Sequence, residues 1–106
     1  MLVERRSSPR SRVHLYFNKY IDGQPYLCEA IELSSSGMLL RRIHEPDLDR
    51  VLYGIEIARG ASKEPELIWL CGTRIWSCAG FEALGFVAQS GRDVERVNTL
   101  IRSCAA

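Results

Sequence analysis

Residues 31–40 read "IELSSSGMLL": an apolar strand runs into three serines and a glycine, then turns apolar again. This is the composition of a strand–turn–strand junction. Within it Glu32, Ser34 and Gly37 stand at the spacing acidic-x-Ser-x-x-Gly. The Ser34 hydroxyl both donates and accepts. Gly37 permits positive φ or the close approach of a ligand to the backbone. Glu32 supplies an acceptor for N–H donors such as the N1 and N2 edge of a guanine. The same residues also make an ordinary serine-rich turn whose hydroxyls satisfy local backbone groups, and the turn alone does not separate the two readings.

Outward from this junction the chain is mostly strand. "RVHLYF" (12–17) leads to a turn at Asp22-Gly23, and "PYLCEAIEL" (25–33) is the strand entering the junction. Its alternation puts Leu27, Ile31 and Leu33 on one parity and Tyr26, Cys28, Ala30 and Glu32 on the other. "GMLLRRI" (37–43) and "RVLYGIEIAR" (50–59) follow, separated by "EPDLD". "ELIWLCGTRIWSC" (66–78) is a long strand in which Gly72 suggests a bulge or bend. On this strand Trp69 and Trp76 have opposite parity, so one is expected in the core and the other on the surface. Ala79-Gly80 turns the chain into "FEALGFVAQS" (81–90). Six or seven short strands joined by turn signals indicate a small barrel or sandwich. From Ser90 the pattern changes: Val94, Val97, Leu100, Ile101 and Cys104 recur at helical spacing, behind a Ser90/Asp93 capping box.

The bulk numbers fit one soluble domain: 106 residues, 46% hydrophobic and 25% charged. The net charge of +1 hides an asymmetry: Arg5, Arg6, Arg10 and Arg12 face only Glu4 in residues 1–12, so this segment carries +3 and the rest −2. No apolar run is long enough to cross a membrane, and no secretory leader is evident, so the expected location is the cytoplasm. Cys28, Cys71, Cys78 and Cys104 include no C-x-x-C pair and each sits in an apolar stretch, so they are expected to be buried free thiols without zinc. No nucleophile–base–acid set, metal-ligand spacing or phosphate-cradling glycine loop supports an enzyme. The body also lacks the basic face with interleaved aromatics of a nucleic-acid-binding barrel.

The basic arm carries a second pattern. "ERRSSPR" (4–10) sets Arg6 and Arg10 at the spacing Arg-x-x-x-Arg ahead of the first strand. Guanidinium forks pair with phosphate oxygens and the O6/N7 edge of guanine, and stack on bases. Such an arm followed by an acidic-x-Ser-x-x-Gly turn resembles the PilZ domain family. The resemblance extends through "ALGFVAQ" (83–89), with Gly85 and Phe86, to the terminal helix, and covers nearly all of residues 4–104.

The resemblance implies a mainly β fold, a six-stranded antiparallel barrel with a C-terminal α-helix. It divides the chain into a flexible arginine-rich arm (1–12) and a barrel with its helix (13–106, the helix at about 90–104). It implies a stand-alone, non-enzymatic bacterial receptor for the second messenger cyclic di-GMP, with no cofactor, signalling through an effector protein. Nucleic acid and membrane insertion are not expected; self-association is left open. Arg6 and Arg10 would inherit the role of wrapping the ligand, Ser34 and Gly37 that of reading a guanine, and Arg5 is an auxiliary phosphate contact. Glu32 stands where the family pattern has Asp or Asn; it keeps the charge and adds one methylene. That departure carries the alternative, a PilZ-like interaction adaptor that does not bind nucleotide.

Overall fold

A computed structural model describes residues 10–46, 50–60 and 63–104. Among them, six strands run β1 (Ser11–Ile21), β2 (Gln24–Ser34), β3 (Gly37–Arg42), β4 (Leu52–Arg59), β5 (Glu66–Cys78) and β6 (Phe81–Val87), followed by α1 (Gly91–Cys104). All pairings are antiparallel, and the order β1-β2-β3-β6-β5-β4 closes into a barrel.

Local chemistry sets the elements. Asp22 (φ 50°) and Gly23 (φ 81°) both take left-handed backbone at the β1–β2 hairpin, as do Ala79 (φ 52°) and Gly80 (φ 85°) between β5 and β6. Two-residue hairpins of this kind match the right-handed strand twist. The capping box at the start of α1 forms: the Asp93 amide donates to Ser90 Oγ at 3.1 Å, and the Ser90 amide to Asp93 Oδ2 at 3.1 Å. The helix packs on β1, β2 and β5 and buries Val97 and Leu100. No described helix is long and apolar enough to cross a membrane.

Three register shifts alter what alternation predicts. In β1 the shift lies between Arg12 and Leu15, in β2 between Ala30 and Glu32, and in β5 between Arg74 and Trp76. Each places an extra residue on one strand and reverses its parity beyond that point. In β2, Cys28, Ala30 and Leu33 therefore all reach the core, while Leu27 stays exposed. In β5, Trp69 and Trp76 are both exposed, at 51% and 47%, rather than divided between core and surface. Gly72 is not the bulge; a Cβ there would lie 2.7 Å from Ile55 Cδ1, so a side chain at this position would have to displace the end of Ile55 inside the barrel. The cysteines also divide: Cys28 is buried, Cys104 half-buried, and Cys71 and Cys78 are exposed on β5.

One part of the barrel interior is ionic. Lys19 and Glu82 are fully buried, and Lys19 Nζ donates to Glu82 Oε1 at 2.7 Å and to Glu45 Oε1 at 2.9 Å. Arg74 Nε donates to Glu82 Oε2 at 2.6 Å, the Tyr53 hydroxyl lies 3.0 Å from the same oxygen, and Lys19 Nζ sits 4.3 Å from the Tyr53 ring centre. Burial alone would raise the Glu82 carboxyl; hydrogen bonds from Lys19, Arg74 and Tyr53, with the Lys19 charge, outweigh it and hold it below the ordinary 4.5. Burial, helped by Glu82, pushes the Tyr53 hydroxyl up to about 12, and burial pushes the Cys28 thiol, 3.8 Å from Glu45 Oε2, up to about 12.

Glu82→Ala strands Lys19 without one of its carboxylates and leaves Arg74 without its partner. Unfolding titrations should show a loss of roughly 3–5 kcal/mol, against at most about 1 kcal/mol for Arg59→Ala at the surface. Because the folded Glu82 carboxyl lies below 4.5, its contribution is present above that pH and fades as the pH falls through the lowered value. Thermal melts from pH 7 to 3 should show a shallower acid limb for Glu82→Gln.

Candidate functional site

The β2–β3 turn is built around Ser34. Its Oγ accepts the amides of Ser36 (3.2 Å) and Gly37 (3.1 Å), and lies 3.3 Å from both the Ser36 hydroxyl and the Gly37 carbonyl. The residue is 4% exposed, so its hydroxyl is committed to shaping the turn. The turn is held from outside as well. Phe86 donates its amide to the Ser36 carbonyl at 2.8 Å, and Gln89 Nε2 donates to the Ser35 carbonyl at 2.8 Å.

Gly37 is a glycine for a reason other than φ, which is not left-handed here. It pairs with Gly85 across β3–β6, and a Cβ on Gly37 would collide with the Leu84 carbonyl oxygen. The close approach is between neighbouring strands. Its consequence is a stretch of outer barrel face where two facing glycines present backbone and no side chain.

Arg10, the first described residue, reaches this turn. Its Nη1 lies 3.5 Å from Glu32 Oε1, with both side chains partly exposed. Arg10, Ser34, Ser36, Gly37, Ile75 and Leu84 line one cleft of about 270 Å³. The second half of the acidic-x-Ser-x-x-Gly motif and the second arginine of Arg-x-x-x-Arg, 22 residues from Glu32, thus share one place. Arg5 and Arg6 lie outside the described residues. A larger cavity, about 370 Å³, sits by Arg42, His44, Glu45 and Gly80, but contains none of these motif residues.

The neighbouring arginines have other work. Arg41 holds Glu29 through Nε (2.9 Å) and Nη2 (2.7 Å), and His14 Nδ1 lies 2.6 Å from the other Glu29 oxygen. The Arg41 hydrogen bond keeps the Glu29 carboxyl below its ordinary range. Arg42 points to Glu45, 4.0 Å away. Sequence reading missed Gln89 and Ile75: the first acts on the turn from 54 residues away, and the second reaches the cleft from β5, on the far side of β6 from Gly37.

Among solved structures, the PilZ domain of CeSA from a cellulose-synthesizing bacterium matches with a TM-score of 0.71 and 15% identity, over 91% of this chain and 97% of that one. The chain has a PilZ-type fold. The PilZ domain of YcgR from Escherichia coli, solved with c-di-GMP, matches with a TM-score of 0.64 and 15% identity, covering 95% of this chain and 92% of that one. Bacillus subtilis MotI/DgrA, an inhibitor of motility, matches with a TM-score of 0.69 and 12% identity; the match covers 96% of this chain but 50% of MotI, so the PilZ-type domain here spans half of that protein. No protein-family model matches the sequence, and no curated protein does.

Gly37→Ala should destabilise the PilZ-type barrel with no ligand present, since the Leu84 carbonyl leaves no room. Ser34→Ala, which strips two turn amides of their acceptor, should cost about 1–3 kcal/mol. Denaturant unfolding of the ligand-free protein checks both. Unchanged midpoints would mean the turn does not need these residues for its own shape.

Proposed function

We propose that this domain is a non-enzymatic receptor for cyclic di-GMP that acts in the bacterial cytoplasm by handing its signal to an effector protein. The observation that carries this reading is that Arg10, paired with Glu32, lines one cleft together with Ser34 and Gly37. The ligand's chemistry matches that convergence. Two phosphates call for guanidinium forks, and a guanine N1/N2 edge calls for a carboxylate acceptor. The PilZ-type fold, shared with a YcgR domain solved with c-di-GMP, supports the same ligand.

Arg10 and Glu32 already face each other, so the ligand has to exchange that contact for its own. An exposed pair of this length is worth at most about 1 kcal/mol, whereas a hydrogen bond to a charged group contributes about 1.5–3 kcal/mol. The exchange therefore favours the bound state. The second reading, an adaptor that binds no nucleotide, draws on the same pair. The extra methylene of Glu32 carries its carboxylate toward Arg10, and Ser34 has spent its hydroxyl on the turn.

Titration calorimetry with cyclic di-GMP, with GTP and cyclic GMP as controls, separates them. The receptor reading expects binding of cyclic di-GMP alone, a loss of about tenfold or more for Arg6→Ala and for Arg10→Ala, and equal or tighter binding for Glu32→Asp. If the wild type does not bind and Glu32→Asp does, the adaptor reading holds. If both arginine variants bind like wild type, the arm is not part of the site.

A further inference from the structure

We propose that Ile75 is a ligand-contacting residue of this site, the apolar wall against which one guanine face packs. The inference rests on the receptor reading and adds a residue that neither sequence motif contains.

Ile75 faces outward by the alternation of β5, in which Ile68, Leu70 and Gly72 point in and Leu67, Trp69 and Cys71 point out. Arg74 pairs with Leu84, and Trp76 with the next residue back, Ala83, so Ile75 is the extra residue between them. Arg74 turns inward to Glu82, while Ile75 and Trp76 both remain outside, 64% and 47% exposed. The bulge re-aims Trp76, which regular alternation would send inward, and leaves Ile75 with an outward neighbour. Ile75 is not part of the hydrophobic core cluster, so packing of the fold does not account for its place.

Its position completes a slot. Ile75 Cδ1 lies 3.4 Å from where a Cβ on Gly85 would stand, so it leans across the bare backbone that Gly85 and its partner Gly37 present. Arg10 lines the same cleft. The result is a backbone floor with a stiff β-branched apolar side chain and a guanidinium around it. A planar aromatic base joined to an anionic group satisfies both, its face on Ile75 and its charge at Arg10. The size agrees: about 270 Å³ falls just below the ~300–1,000 Å³ range of pockets for drug-sized ligands. It suits one base, with the rest of the ligand outside the cleft.

The test is calorimetry of the full chain with cyclic di-GMP at low and high salt, for wild type, Ile75→Ala and Leu67→Ala. Leu67 is a fair control, outward on the same strand, 45% exposed and eight residues away. Ile75→Ala should weaken binding by about tenfold, the equivalent of losing most of one buried aliphatic side chain. The loss should be the same at both salt concentrations, because the contact is apolar, whereas Arg10→Ala should flatten the salt dependence. Melting temperature should not move. Wild-type affinity in Ile75→Ala overturns the inference and leaves the receptor reading intact. An equal loss in Leu67→Ala, or a loss that tracks a lowered melting temperature, also overturns it. A wild type that does not bind cyclic di-GMP overturns both.

Discussion

A buried carboxylate has to be surrounded by donors, and Glu82 obtains them from three other strands: Lys19 on β1, Tyr53 on β4 and Arg74 on β5. Removing either cation leaves one Glu82 oxygen short of its charged donor inside the barrel. The demand fixes more than stability. Glu45, from the segment after β3, is tied to the same Lys19 and so helps seat that connection. Arg74 meets Glu82 by continuing the inward alternation of Ile68, Leu70 and Gly72, and the extra residue of the β5 bulge, Ile75, comes directly after it. The ionic interior and the shape of the outer cleft are thus two sides of one strand.

Much of the architecture was legible in the sequence because it rests on local chemistry. The hairpin residues Asp22-Gly23 and Ala79-Gly80, the Ser90/Asp93 cap and the apolar stripe of α1 are short-range signals, and the elements they delimit form as read. What was not legible depends on register. A bulge adds one residue without any mark in composition, so Trp76 and Cys78 point outward where alternation sends them in; Cys71, taken for core with the other thiols, lies on the outward parity of β5. Lys19 and Glu82 look like surface charges in sequence, since nothing local shows that partners from other strands will enclose them.

The site divides in the same way. Spacing identified Arg10, Glu32, Ser34 and Gly37, and the structure brings these four around one turn. It assigns Ser34 and Gly37 work that spacing did not distinguish: the hydroxyl organises the turn, and the glycine admits the neighbouring backbone of β6. Ile75 and Gln89 had no signal, because one meets the turn through the strand order β3-β6-β5 and the other through a long-range hydrogen bond.

Closure of the six strands has a further consequence. The seam that closes the barrel is narrow, Asn18–Tyr20 of β1 against Gly54–Glu56 of β4, so room for an added strand is confined to the flanks of that seam. Elsewhere recognition runs through outward side chains and turns. The cylinder is common to its structural counterparts at TM-scores of 0.64–0.71 with only 12–15% of residues identical, so different sets of side chains fill and clothe one geometry.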